Sequence, residues 1–199
     1  MSIFRNHTPK RRNINGKVNA YGDHRTDLKL DFKDRCGYCN DVDNWRFFWF
    51  EIDHFIPKKR NKKQFLTIKT ETDYSNLVYS CRSCNNAKRN KWPSNDENVP
   101  NINNEGFIDP CDDEYNNQFN RLNSGRITPD TDLGDWMYNA MKLYKPQHEI
   151  LWNIEQLHEL IKEVRELVAK SPNDDIDLMK RLIKLYNTYD DYIQKLFKH

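Results

Sequence analysis

The chain has 199 residues and a formal net charge of +2, with 37% hydrophobic, 13% aromatic and 31% charged residues and a mean hydropathy of −1.01. So many aromatics exclude a disordered chain, and no run approaches the ~20 apolar residues that a bilayer span requires. The basic start, MSIFRNHTPKRRNING, leads into no apolar segment, so the expectation is a cytoplasmic protein without a secretory signal.

Residues 1–24 are basic and polar and read as an arm, either loose and DNA-contacting or frayed. A short helix is expected over 25–32 (RTDLKLDF), leading into Cys36 and Cys39. Residues 45–54 (WRFFWFEIDH) form an aromatic run that reads as a strand ended by Pro57. Lys58, Lys59 and Arg60 open a basic loop, and residues 73–80 run in extended form into Cys81 and Cys84. A helix is expected to begin around residues 84–85 and to stop before Pro93. Residues 96–130 read as an acidic, loop-rich connector, and a helix is expected over 131–144. Further on, Ile150, Ile154, Leu157, Ile161, Val164 and Val168 make a helical stripe. A break follows at 171–173, with Pro172 and Asp174 suited to a helix start. Ile176, Met179, Ile183 and Tyr186, continued by Tyr189, Ile193 and Leu196, make a second stripe, so the C-terminus reads as a helical hairpin.

The small net charge hides an asymmetry. Residues 56–91 hold ten Lys/Arg against two acids, a local net of +8, whereas 92–136 hold ten acids against two Arg, a net of −8. A basic stretch around the motifs suits a polyanion, although an ordinary solvated face has the same composition.

Two Cys-x-x-Cys pairs in a reducing compartment read as a tetrahedral Zn²⁺ site of Cys36, Cys39, Cys81 and Cys84. A redox motif would stand alone beside a βαβ pattern that the chain lacks. Cys111 has no such partner and is expected to be a packed thiol. The 41 residues between the pairs are more than a simple zinc ribbon needs. Within them, Asp53 and His54 end an apolar strand, where they could supply an oxygen ligand and a base for phosphodiester hydrolysis; Asn85 could supply a second oxygen.

The string CGYC…EIDHFIPK…SNLVYSCRSCNNAKRNK resembles the HNH endonuclease family over residues 30–95. The resemblance implies a ββα-metal core over 25–95 braced by the four-cysteine zinc site, which with the connector and the helical region over 131–199 gives an α+β architecture. It implies His54 as the general base and Asp53 as a ligand of a catalytic Mg²⁺ or another divalent ion. Asn76 would be the middle asparagine that holds the catalytic loop, and Asn85 would stand where the last histidine usually is, an HNN variant. Lys58, Lys59, Arg60 and Lys88 are the expected nucleic-acid contacts; for Lys88 a solvated helix lysine fits as well. The chain is also similar in its CxYC, IDHF-x-PK and later knuckle to the HNH component of Septu-type anti-phage systems. This implies a role in defence or restriction. The C-terminal helices read either as a hairpin that simply packs on the nuclease core or as a docking surface for a partner, such as a defence-system ATPase, or a second copy. DNA is favoured as substrate by the resemblance alone.

Two rivals remain: a zinc-braced nucleic-acid-binding module without catalysis, and an adaptor with a decayed core. A zinc deaminase is excluded, because its His-x-Glu and Pro-Cys are replaced by Phe55 and Ile56 after His54 and by Ser80 before Cys81.

Overall fold

The computed structural model describes residues 2–14, 16–44, 49–171 and 175–198. It is a mixed α and β protein whose chain divides into two compact units, one of residues 1–122 and 127–144, the other of 123–126 and 145–199.

In the first unit, strand β1 (Ser2–Ile3) pairs antiparallel with β8 (Phe119–Arg121), which pairs with β9 (Ile127–Pro129). The N-terminal residues are therefore packed, not a free arm. Phe4 is buried, with Tyr115 and Phe119 at 6.1 and 5.3 Å between ring centroids. Arg5 donates to the carbonyls of Gly37 and Pro110 at 3.0 and 2.7 Å. Arg11 grips Asp109 through both carboxylate oxygens and donates to Leu77 O at 2.6 Å. Polar composition suggested looseness because it cannot show which charges meet partners far along the chain.

Helix α1 (Arg25–Asp31) forms as expected, burying Leu28, and leads into the first knuckle. Strand β2 (Phe50–His54) forms the end of the expected strand; residues 45–48 lie outside the described residues. The basic loop contains a small hairpin, β3 (Lys59–Arg60) with β4 (Lys63–Gln64). A 3-10 turn (Tyr74–Asn76) precedes β5 (Leu77–Cys81), which pairs antiparallel with β2 so that Asp53 faces Val78 and His54 faces Leu77. Helix α2 (Arg82–Lys88) follows without a gap. It begins two residues earlier than the sequence suggested, because Cys81 stays extended as its N-cap and the knuckle itself is the first turn. These three elements are the ββα core.

The acidic connector is anchored more firmly than its composition implied. It carries the hairpin β6 (Asn101–Ile102) and β7 (Glu105–Gly106), and fully buried Phe107 and Tyr115. The Glu97 carboxylate accepts from the backbone amides of Thr67 and Ile68, tying the connector to the segment after the basic hairpin. Helix α3 (Asp132–Ala140) is capped by Thr131, whose side chain accepts from Gly134 N.

The second unit is helical, with α4 (Pro146–Lys170) packed along α5 (Ile176–Phe197). The α4 stripe is buried at Ile150, Ile154, Ile161 and Val164. On α5 the stripe is misplaced in its first half: Ile176, Met179, Ile183 and Tyr186 are exposed. The half-buried positions there are Leu178, Leu182 and Leu185, continued by Tyr189. This helix carries two apolar stripes side by side, and a 3.6-residue period alone does not say which one meets the neighbour. Its cap is Asp175, which accepts from Leu178 N; Pro172 and Asp174 lie outside the described residues. No helix among the described residues is long and apolar enough to cross a membrane.

Candidate active site and metal centre

Cys36, Cys39, Cys81 and Cys84 are all buried, with their sulfurs within 4.8 Å of one another. Cys39 and Cys81 sulfurs stand 3.7 Å apart, too far for a disulfide bond. Four sulfurs at about 2.3 Å from a tetrahedral Zn²⁺ would be separated by about 3.8 Å. The donor set therefore fits zinc in chemistry and in spacing. Each knuckle is built by local backbone geometry. In the first, Asn40 takes a positive φ of 65° and donates to Cys36 O, while Gly37 N donates to Tyr79 O on β5. A Cβ at Gly37 would lie 2.7 Å from the Phe32 ring and 2.9 Å from Val78, so no larger residue fits. Cys111 is not part of this cluster; burial pushes its thiol up to about 12, as expected of a packed cysteine.

The other site is a cavity of about 300 Å³ along β2 and α2, lined among others by Asp53, His54, Lys58, Lys59, Asn85 and Arg89. His54, only 7% exposed, ends β2. Its Nε2 lies 2.8 Å from Glu71 O. A carbonyl can only accept, so Nε2 carries the hydrogen and Nδ1 keeps its lone pair. The Tyr21 ring meets the imidazole edge-on at 4.8 Å. Burial holds the His54 pKa below the ordinary histidine value, and the nearby Lys58 charge adds to the effect against the Glu71 carbonyl. The ring is thus neutral at pH 7.

Asp53 and Glu51, two apart on β2, share the strand face toward α2. Asp53 Oδ2 accepts from Tyr38 Oη at 2.6 Å and pairs with Lys88 Nζ at 3.0 Å. Burial and the Asp53 charge push the Tyr38 hydroxyl well above its usual range, so it remains a donor. The other carboxylate oxygen, Oδ1, has no hydrogen-bond partner among the described residues. Lys88 is fully buried and also donates to His54 O at 2.8 Å. It is therefore neither a phosphate contact nor a solvated lysine, but a brace under the Asp53–His54 pair. Its place on the inner helix face was concealed by a basic sequence.

Asn76, 1% exposed, accepts from Ile56 N at 2.8 Å and donates to Ile56 O at 3.1 Å. Together with the bond from Phe55 N to Asn76 O, these fix the turn just after His54. Asn85 lies in the body of α2, and its Nδ2 donates to Glu51 Oε2 at 2.7 Å. A carboxylate only accepts, so this bond sets the amide with Oδ1 as the free end. Asp53 and Asn85 line one cavity and each keeps a hard side-chain oxygen without a hydrogen bond among the described residues, a set suited to Mg²⁺ or a similar ion.

Of the expected nucleic-acid contacts, Lys58 and Lys59 line this cavity. Lys58 pairs with Glu71 at 3.1 Å and lies over the Tyr21 ring. Arg60 is turned to Ser94 O and Asn95 Oδ1 and is not among the lining residues. Sequence reasoning missed Tyr21, Tyr38, Glu51, Glu71 and Arg89. Of these, Glu51 carried a signal, being two residues before Asp53 on a strand, and Tyr38 carried one as the tyrosine of the CxYC string.

Residues 36–91 match the family model of the HNH endonucleases. No curated protein matches the chain. The matched residues contain both thiol pairs together with Asp53, His54, Asn76 and Asn85, and residues 36–91 are an HNH endonuclease domain, a type of domain whose members are generally nucleases.

Proposed function

We propose that this protein is a metal-dependent endonuclease that hydrolyses phosphodiester bonds in nucleic acid, DNA in preference, with His54 as the general base. The observation that carries the reading is the bond from His54 Nε2 to Glu71 O, which leaves Nδ1 of a neutral imidazole as a proton acceptor on the cavity. In this reading Nδ1 takes a proton from water, the oxygen attacks phosphorus, and the P–O3′ bond breaks with the leaving oxygen protonated from solvent. Asp53 and Asn85 would hold the divalent ion, which supplies charge stabilisation for the phosphorane and the leaving oxygen. Asn76 keeps the turn rigid, and Lys58 and Lys59 offer charge to the backbone phosphates. The four thiolates would hold zinc in a closed site that takes no part in the chemistry.

We further propose a role in anti-phage defence or restriction, on the resemblance of the CxYC and IDHF-x-PK strings to Septu-type HNH proteins. The exposed Ile176, Met179, Ile183 and Tyr186 of α5 support a partner there, such as a defence ATPase or a second copy.

The test is cleavage of supercoiled plasmid by the wild type and by His54→Ala, each with Mg²⁺ and with EDTA. Nicking or linearisation that needs both His54 and Mg²⁺ is the expected result. Equal cleavage by His54→Ala removes the base assignment. Binding without cleavage by a folded, zinc-loaded wild type favours the binding module instead.

A further inference from the structure

Arg89 stands out in two independent ways. It is the residue that closes α2, with φ 48° and ψ −126°, and its backbone N–H donates to Asn85 O at 2.8 Å. That backbone region suits glycine, which commonly ends helices; an arginine there is strained. Its side chain is the second anomaly. Nε donates to Asn86 O at 3.0 Å, which fixes the direction of the guanidinium. Neither terminal nitrogen has a hydrogen bond or an ion pair among the described residues, although the group lines the His54 cavity. Arg11, Arg12 and Arg82 are paired with Asp109, Asp31 and Glu51. Although Arg126, Arg165 and Arg181 are exposed without a side-chain partner among the described residues, Arg89 differs from them in lining the His54 cavity. Arg89 also adds to a positive field, since its charge helps to hold Lys91 below the usual lysine range, after burial and Lys142.

We propose that Arg89 binds a phosphate of the nucleic-acid backbone at the His54 cavity, its two terminal nitrogens taking two non-bridging oxygens. The inference rests on the nuclease reading for the identity of the ligand, but its binding readout does not depend on cleavage. A planar fork matches a phosphodiester, and the exposed end of α2 delivers it beside Asn85 and Asp53. The backbone strain is the cost of placing an arginine where glycine would be easier. Tied by Nε alone, the group is held in direction and still has its remaining donors for a ligand.

The experiment compares wild type, Arg89→Gly and Arg89→Lys. Binding of a short DNA duplex is followed by fluorescence anisotropy in EDTA across a salt series, with zinc content checked, and the thermal midpoint is recorded. Arg89→Gly is expected to lower affinity and to flatten the dependence of log K on log salt by about one unit. The same variant is expected to melt about 2–4 °C higher, since glycine relieves the strained φ. Arg89→Lys should keep the salt slope, yet with Mg²⁺ it should cleave about tenfold more slowly, because a single ammonium does not grip two oxygens. A wild-type salt slope in Arg89→Gly overturns the proposal, whatever happens to cleavage. A lower melting point in that variant also overturns it, by assigning Arg89 to the fold. Loss of His54-dependent cleavage in the wild type, with the slope change intact, fells the nuclease reading and leaves Arg89 as a phosphate-binding residue.

Discussion

Within residues 36–91 the chain builds a cluster of four thiols and a polar cavity at His54, and the two differ in nearly every physical respect. The thiol cluster is closed: all four donors are buried, soft and alike, and backbone knuckles place them. The cavity is open on one side, and its donors are hard, few and already partly engaged. Asp53 gives one oxygen to Tyr38 and Lys88, and Asn85 gives its amide nitrogen to Glu51. A saturated site contributes folding energy, whereas an incomplete one leaves coordination positions to water and substrate. In the proposed reading one small core separates stability from chemistry: zinc would brace the knuckles while the protein's own hydrogen bonds hold Asp53, His54 and Asn85.

That separation can be broken at several points. The largest effect is expected from Cys81→Ser. Structural zinc is worth on the order of 10 kcal/mol, comparable with the whole stability of a domain. The variant should lose near-ultraviolet circular dichroism together with its zinc; a folded, active Cys81→Ser protein would contradict a structural role. Next is Lys88→Met, which leaves the buried Asp53 carboxylate without its cation. A loss of about 3–5 kcal/mol is expected from the urea midpoint, and an unchanged midpoint would show that the pair is dispensable. Glu51→Ala should act on the ion and not on the fold. With the Asn85 amide released, Mn²⁺ binding followed by electron paramagnetic resonance is expected to weaken about 10- to 100-fold. Glu51→Gln, which keeps an acceptor, should recover most of it; equal loss in both would point to charge rather than orientation.

The gentlest probe is pH. Only neutral imidazole accepts a proton, and His54 is held below its usual value by burial. Cleavage should therefore persist as pH falls through the usual histidine range and decline only as pH drops through the lowered His54 pKa. A decline centred above about pH 6.5 would mean that the site stabilises the imidazolium instead.

Much of this was legible in the sequence, for identifiable reasons. The thiol pairs were readable because a Cys-x-x-Cys knuckle is local, and two such knuckles imply a shared ion. Asp53, His54, Asn76 and Asn85 were marked by their order within a family string, and the structure places Asp53, His54 and Asn85 around one cavity with Asn76 behind it. What stayed hidden depends on facing. Lys88 and Arg89 are adjacent basic residues, yet Lys88 ends the helix on its inner face and Arg89 leaves it at a positive φ, which separates a buried brace from an exposed cation. Lys59 and Arg60 are neighbours on β3, where alternation along a strand sends only Lys59 to the cavity. On α5, two apolar stripes competed, and periodicity favoured the exposed one over Leu178, Leu182 and Leu185. The packed N-terminus was illegible because Arg5 and Arg11 find their partners around residues 37, 77 and 109–110, far along the chain.

The division of labour between the two sites is most directly tested by metal content and activity measured on one sample. The protein would be dialysed against EDTA, analysed for zinc by mass spectrometry, and assayed on plasmid before and after adding Mg²⁺. Zinc retained at one per chain, with cleavage absent in EDTA and restored by Mg²⁺ alone, is the result expected here. Cleavage that persists in EDTA, or zinc that leaves without loss of fold, would contradict it.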